Sequence, residues 1–380
     1  MVGNSMDEQP RILILTAGYG EGHNSAARGI AEALEGRAEC RVANPCQVAM
    51  PGISRLSQAG YRWVINYAPE LWRLCFDKSD GVNLRESSLA GLAPVKEALR
   101  SMILEFRPQV VISTYMLYPY LLESILDDLE LSIPSVVVVT DSMVIHHSWT
   151  DCEADLWCVT DDVTKQVLVK DRNIPEDRVA VTGFPVSQRV VVESDRVTLP
   201  PPEEGFRILY LAQGNNRQVL RDVEAMLKAN ASVHVTAVLG RRLRSRYVAL
   251  KDVIERERDR LRVMGWTRRI PALMATHHLV VGKAGGATTH EALVAHRPMI
   301  VTHLVPGQEE GNLALLESLD CGRLVTDAGE LCDLLRRMLM EECSLWKKMQ
   351  SRICIERHGS TRVADLALQL ASSPSNPSLP

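Results

Sequence analysis

Twelve short runs rich in Val, Ile and Leu, each followed by a longer amphipathic or Ala/Leu-rich segment, constrain the fold of this chain more than any other feature. The first six lie at 12–16, 40–44, 110–113, 136–140, 156–159 and 179–182. A β-branched run that alternates with a helical pattern marks a βαβ unit, because parallel strands must be joined by a crossover. The stretch "TLPPPEEGF" then breaks the periodicity and reads as a linker. A second series follows at 208–212, 233–239, 262–264, 279–281, 299–302 and 323–325. The implied architecture is α/β, with one doubly wound domain over residues 10–197, a linker at 198–205 and a second domain over 206–370. At 380 residues the chain can bury two cores. The Ser/Pro-rich end, 371–380, reads as a disordered tail.

A formal charge of −4 gives no reason to expect a polyanion, so nucleic acid is excluded as a partner. No apolar run approaches the roughly 18 residues of a membrane-spanning helix, and the start lacks a basic-then-apolar leader. These features place the chain in the cytoplasm. Nine cysteines, an odd number without a C-x-x-C pair, are expected to be reduced core residues, and no cluster has metal-ligand spacing.

In a doubly wound domain ligands collect at the carboxyl ends of the strands. The first such corner reads "ILTAGYGEGH": Gly18, Gly20 and Gly22 let the backbone approach a ligand, and His23 opens the following helix. The spacing is G-x-G-x-G, and the second strand ends at Ala43, Asn44 and Pro45 without an acid for a ribose, so a dinucleotide fingerprint is disfavoured. Two readings stay open. Either His23 is a general base, for which its ordinary pKa suits it, or the glycines only make a tight turn and His23 only starts a helix.

The second domain repeats the design in "VVGKAGGATTHEAL". Lys283, Gly285, Gly286 and Thr288 offer a diphosphate a cation, free N–H groups, a hydroxyl and a positive helix end, and Glu291 one turn on suits a ribose. Farther along, "LVPGQEEGN" places Gln308, Glu309 and Asn312 near another helix start, where they suit sugar hydroxyls or a capped first turn equally. Between 51 and 78, Trp63, Tyr67, Leu71, Trp72, Leu74 and Phe76 interleave with Arg55, Arg62 and Arg73. That pattern fits helices lying on a lipid surface, and it fits two amphipathic core helices as well. The arginines of "RRLRSRY", including Arg246, read as a solvated helix face.

Taken in order, "ILTAGYGEGH", "VTDSMVIHHSW", "TGFPV", "GWTRRIPALM", "GKAGGATTHEA" and "VPGQEEGN" resemble the motifs of glycosyltransferase family 28, in its diacylglycerol glycosyltransferase group. That resemblance, over residues 11–317, implies a GT-B fold, two Rossmann-like domains facing across a cleft. The N-terminal one would bind acceptor and membrane, and the C-terminal one a UDP-sugar. It also implies an inverting, metal-independent transfer without a cofactor, and a peripheral position on the inner face of the cell membrane, with anionic lipids among its contacts.

Residue by residue, it makes His23 the group acting on the acceptor hydroxyl and aligns Asp141, His146 and Trp149 with the "TD…H..W" pattern. Gly22, Gly214 and the backbone at Thr267 fall to the donor, with Lys283, Gly285, Gly286, Thr288 and Glu291 on diphosphate and ribose, and Gln308, Glu309 and Asn312 on the sugar. Trp63, Tyr67, Trp72, Phe76 and Trp149 are assigned to acceptor and membrane. Two departures stand out: "LAQGNNR" keeps only Gly214 where distant relatives have more glycine, and Ala284 replaces a proline of some members. A UDP-sugar epimerase of the same architecture and a non-enzymatic UDP-sugar sensor are the competing classes.

Overall fold

The structure, a computed structural model, describes residues 9–80, 89–307 and 309–372. All twelve runs are strands, within a residue or two of their expected limits: β1 Arg11–Leu15, β2 Glu39–Ala43, β3 Val110–Ser113, β4 Ser135–Val138, β5 Leu156–Val159, β6 Val179–Val181, β7 Phe206–Leu211, β8 Val233–Val238, β9 Leu261–Met264, β10 Leu279–Lys283, β11 Met299–His303 and β12 Gly322–Leu324. They form two parallel six-stranded sheets, ordered β2-β1-β3-β4-β5-β6 and β12-β11-β10-β7-β8-β9. The α/β, GT-B-type expectation therefore holds for both sheets.

Each sheet reverses its direction of growth once, between β1 and β3 in the first and between β7 and β10 in the second. Such a reversal sends the connecting helices to opposite faces and leaves a crevice at the strand ends. Both glycine-rich corners, after β1 and after β10, open at these two points. Local sequence alone does not reveal this.

In the first sheet alternate residues serve opposite layers. Ile12 and Ile14 of β1 pack with Ala27 and Ile30 of the Glu21–Leu34 helix, while Leu13 and Leu15 pack with Val95 and Leu99 of the Ala93–Phe106 helix. In the second, Phe206, Ile208 and Tyr210 share a core with Val223, Met226 and Leu335 of flanking helices.

The chain divides into two compact units, one running up to Gln188 and resuming at Glu356, the other Arg189–Ile355. This differs from a single crossing at 198–205. The closing helix, Gly359–Ala371, returns to the first unit, where Val363, Ala364 and Ala367 join the Ile12 layer and Arg37 pairs with Asp365 at 2.5 Å. Small residues make this return possible. A Cβ on Gly359 would stand 2.5 Å from the Phe184 carbonyl oxygen and 2.8 Å from that of Gly183, and one on Gly29 would meet the Pro185 carbonyl. The "TGFPV" turn thus seats two helices. Residues 373–380, where a disordered tail was expected, lie outside the described residues. Cys75 and Cys354 are exposed, against the expectation that all nine cysteines are core residues.

Gly359→Val should destabilise the first unit by about 1–3 kcal/mol, the usual cost of forcing carbon into a filled backbone contact. Denaturant unfolding measures it, and an unchanged midpoint would contradict the docking of the last helix.

Candidate functional site

His23 sits in the first helical turn after β1, preceded by Gly20 at a φ of 105° that a side chain would strain. It is 5% exposed. Its Nδ1 lies 2.7 Å from the carbonyl oxygen of Thr114, the first residue past β3. A carbonyl can only accept, so Nδ1 carries the ring proton and Nε2 keeps its lone pair. The Thr140 hydroxyl, beyond β4, lies 3.0 Å from the same Nδ1. Burial draws the imidazole pKa down to about 4, with the Thr114 bond opposing the shift. The ring is therefore neutral near pH 7 and aimed by its backbone partner.

Aromatic rings surround it. Tyr115 meets His23 edge-on with centroids 5.1 Å apart, and Trp149 stands at 6.0 Å. Trp149 is fully buried and donates its indole N–H to Asp141 Oδ2 at 2.7 Å. Burial pushes the half-buried Asp141 carboxyl up to about 6, and the indole bond resists that rise. Trp149 therefore has no surface for a lipid. It links Asp141 to the His23 pocket.

His146 has a different geometry from His23. Its Nδ1 accepts from the Ser148 backbone N–H at 3.2 Å and so caps the His147–Trp149 turn. With Nδ1 as acceptor, the neutral ring carries its proton on Nε2, which makes it a donor and not a base. Its ring packs edge-on against Phe76 at 5.0 Å.

That contact also corrects the picture of the aromatic stretch. Within the helices Pro51–Tyr67 and Pro69–Asp80, Phe76 and Trp72 turn inward, Trp72 against Tyr61 at 5.0 Å. Ile53, Leu56, Trp63, Leu71 and Leu74 are at least half exposed. The open apolar face is thus mainly aliphatic. The same helix grips the glycine corner through Tyr19, whose hydroxyl lies 2.6 Å from Ser57 Oγ. The Tyr67 side chain lies outside the described residues.

In the second unit, Lys283 ends β10 and forms an ion pair with Glu309, a residue 4% exposed. The other Glu309 oxygen accepts from the Val305 N–H at 3.0 Å, so this side chain ties the "VPG" turn to the lysine. Gly285 leaves room for the pair, since a Cβ there would stand 3.3 Å from Lys283 Nζ and 3.5 Å from Glu309. Asn312 donates to the Ala284 carbonyl at 3.0 Å, while its buried Oδ1 has no partner among the described residues. Gly286 starts the helix that carries Thr288 and Glu291. Gln308 lies outside the described residues.

Gly214, in the left-handed region at φ 71°, follows β7 across the reversal point from Lys283. Arg246 holds this turn. Expected on a solvated face, it is 6% exposed and donates to the carbonyls of Ala212, Leu239 and Gly214 at 2.8–3.0 Å. The arginine clamps the turn in which the sequence lacks extra glycines. Thr267 lies apart, in the turn after β9, where its hydroxyl accepts from the Arg269 N–H at 3.0 Å. Thr114, Thr140 and Arg246 were not legible as site residues, because each acts through strand neighbours that only the sheet order defines.

Known proteins are similar to this chain along most of its length. The family model described as monogalactosyldiacylglycerol (MGDG) synthase matches residues 23–186. A processive diacylglycerol beta-glucosyltransferase of Bacillus licheniformis is 25% identical over 348 residues, 90% of this chain and 89% of that protein. The Bacillus subtilis protein of the same name is 26% identical over 352 residues, 90% of each. Among solved structures, Phytolacca americana UGT2 complexed with UDP-2-fluoro-glucose and pterostilbene aligns over 96% of this chain and all of its own, with a TM-score of 0.62 and 16% identity. That likeness shows the fold.

A His23 pKa depressed from 6.5 to about 4 has a stability consequence. The unfolded state binds the extra proton first, so His23 stabilises the fold above pH 6.5 and that contribution is lost as pH falls toward 4. Relative to His23→Gln, the wild type should lose on the order of 2 kcal/mol between pH 7 and pH 4.5. Urea unfolding at both values tests this, and parallel pH profiles for the two proteins would contradict the buried neutral ring.

Proposed function

Because the chain is related along nearly all of its length to the diacylglycerol glycosyltransferases, we propose that it is a UDP-sugar-dependent hexosyltransferase. It moves a hexose to a lipid acceptor, most simply diacylglycerol, with inversion and without a metal ion. The observation that carries this reading is His23, a buried neutral histidine whose Nδ1–H is held by a backbone carbonyl at a sheet reversal point.

The acceptor hydroxyl would give its proton to His23 Nε2 as its oxygen attacks the anomeric carbon from the face opposite the diphosphate. The glycosidic bond forms, the bond to the diphosphate oxygen breaks, and UDP leaves with that electron pair. Lys283 and the helix start at Gly286 would supply positive charge for the departing diphosphate, an electrostatic arrangement of the oxyanion-hole kind. For this the ammonium must turn from Glu309 toward the phosphates. Glu291 would hold the ribose, and Asn312, through its unpartnered Oδ1, a donor hydroxyl. Asp141 acts through Trp149, which walls the His23 pocket.

Among the described residues no helix is long and apolar enough to cross a membrane. The lipid acceptor would be reached through the exposed apolar side chains of Ile53, Leu56, Trp63, Leu71 and Leu74. The epimerase and sensor readings predict no lipid product, so a panel of UDP-sugars against dispersed diacylglycerol, read by mass spectrometry, decides among the three. A glycosyldiacylglycerol is expected, and its absence with every donor would overturn the proposal.

His23→Ala should lower turnover by about 10²–10⁴ with UDP affinity retained, the range for loss of a general base. Unchanged turnover would remove His23 from the reaction. Replacing Leu56, Trp63, Leu71 and Leu74 together by serine should cut liposome sedimentation and leave UDP affinity and the melting temperature near wild type, since these side chains already face solvent. Sedimentation equal to wild type would place the membrane surface elsewhere.

A further inference from the structure

The amino-terminal ends of β7, β8 and β9 carry charges that the fold itself does not require. A parallel sheet ordinarily hides both faces under helices. One face of these strands conforms, with Phe206, Val233 and Leu261 in the core. On the other face the second residue of each strand is Arg207, His234 or Arg262, and all three are exposed. Arg207 stands directly opposite His234, and Arg262 opposite Thr236, two residues along the same face. Arg207 and Arg262 thus lie on one face of the two strands that flank β8, and gathering like charge on one face is repulsive.

These residues line a cavity of about 500 Å³, walled on its other side by Arg269 and the Ile270–Thr276 helix. Glu204 is the one acid among its lining residues, and no ion pair engages Arg207, Arg262 or Arg269 among the described residues. Buried His277 has both ring nitrogens in use. Nδ1 lies 2.6 Å from the Leu273 carbonyl and Nε2 2.8 Å from the Thr236 hydroxyl. A closed polar base with unpaired guanidinium groups above it suits an anion with several oxygens.

We infer that this cavity is a second anion site, taking a phosphate-bearing ligand between Arg207, Arg262 and Arg269. It lies at the amino-terminal ends of the strands, whereas Lys283 ends β10 at their carboxyl ends, so a diphosphate at that corner leaves it open. Neither the donor nor the acceptor of the proposed transfer is needed to explain it.

The test uses the full chain with UDP saturating. Calorimetry with inorganic phosphate, and sedimentation with vesicles carrying an anionic phospholipid against matched neutral vesicles, separate a free phosphate from a headgroup. Phosphate-dependent binding in either arm, weakened roughly tenfold or more in Arg207→Ala/Arg262→Ala with UDP affinity unchanged, supports the site. No such binding in either arm, or equal binding by the double variant, overturns it. Without ligand the double variant should melt at or above the wild type, because a repulsion is removed, and should lose any phosphate-induced rise in melting temperature. A melt well below the wild type would assign the arginines to the fold and likewise overturn the inference.

Discussion

The hydrogen bond from His23 Nδ1 to the Thr114 carbonyl, at 2.7 Å, is the contact on which the first unit's site depends. It exists because β1 and β3 are neighbours although β2 separates them in sequence. The glycine corner delivers the histidine, the adjacent strand delivers the carbonyl, and burial keeps the ring neutral by making a charge there costly. A histidine on a freely rotating side chain would offer either nitrogen and would take up protons near its ordinary pKa. This one offers Nε2 alone. Tyr115 and Trp149 shape the space around it, and Trp149 in turn is held by Asp141.

The second unit solves a related problem with opposite charge. Lys283 is half-buried and is neutralised by the buried Glu309, whose other oxygen is fixed to the backbone of Val305. An incoming diphosphate would exchange one anionic partner for another, so the lysine need never stand uncompensated in a partly dry site. Arg246 plays a supporting part at the neighbouring turn. Three carbonyls accept its bonds, and the loop across the reversal point keeps its shape with a single glycine. In both units a residue from a different strand or helix holds a turn at the reversal point.

Periodicity was enough to place all twelve strands, since a run that must fill both faces of a parallel sheet has little freedom in composition. The glycine corners were legible for the same reason, as only small residues permit a close approach. What sequence spacing could not supply was adjacency. Thr114 and Thr140 look like ordinary residues after strands, and Arg246 looks like one of four surface arginines, until the sheet order puts carbonyls and rings around them. Trp72 and Phe76 show a related limit, because a helix with apolar residues on two sides does not say which side meets Tyr61 and His146. The return of the Gly359–Ala371 helix to the first unit was hidden too, since its small residues state only that something approaches closely.

The claim that most else rests on is the protonation state and tautomer of His23. Imidazole ¹⁵N chemical shifts of the uniformly labelled protein, followed from pH 7.5 to pH 5 with His23→Gln to assign the signal, read both directly. A neutral ring protonated on Nδ1, with an Nε2 shift that stays that of a bare nitrogen throughout the range, is the predicted result. A proton on Nε2, or a ring that charges near pH 6.5, would contradict the account.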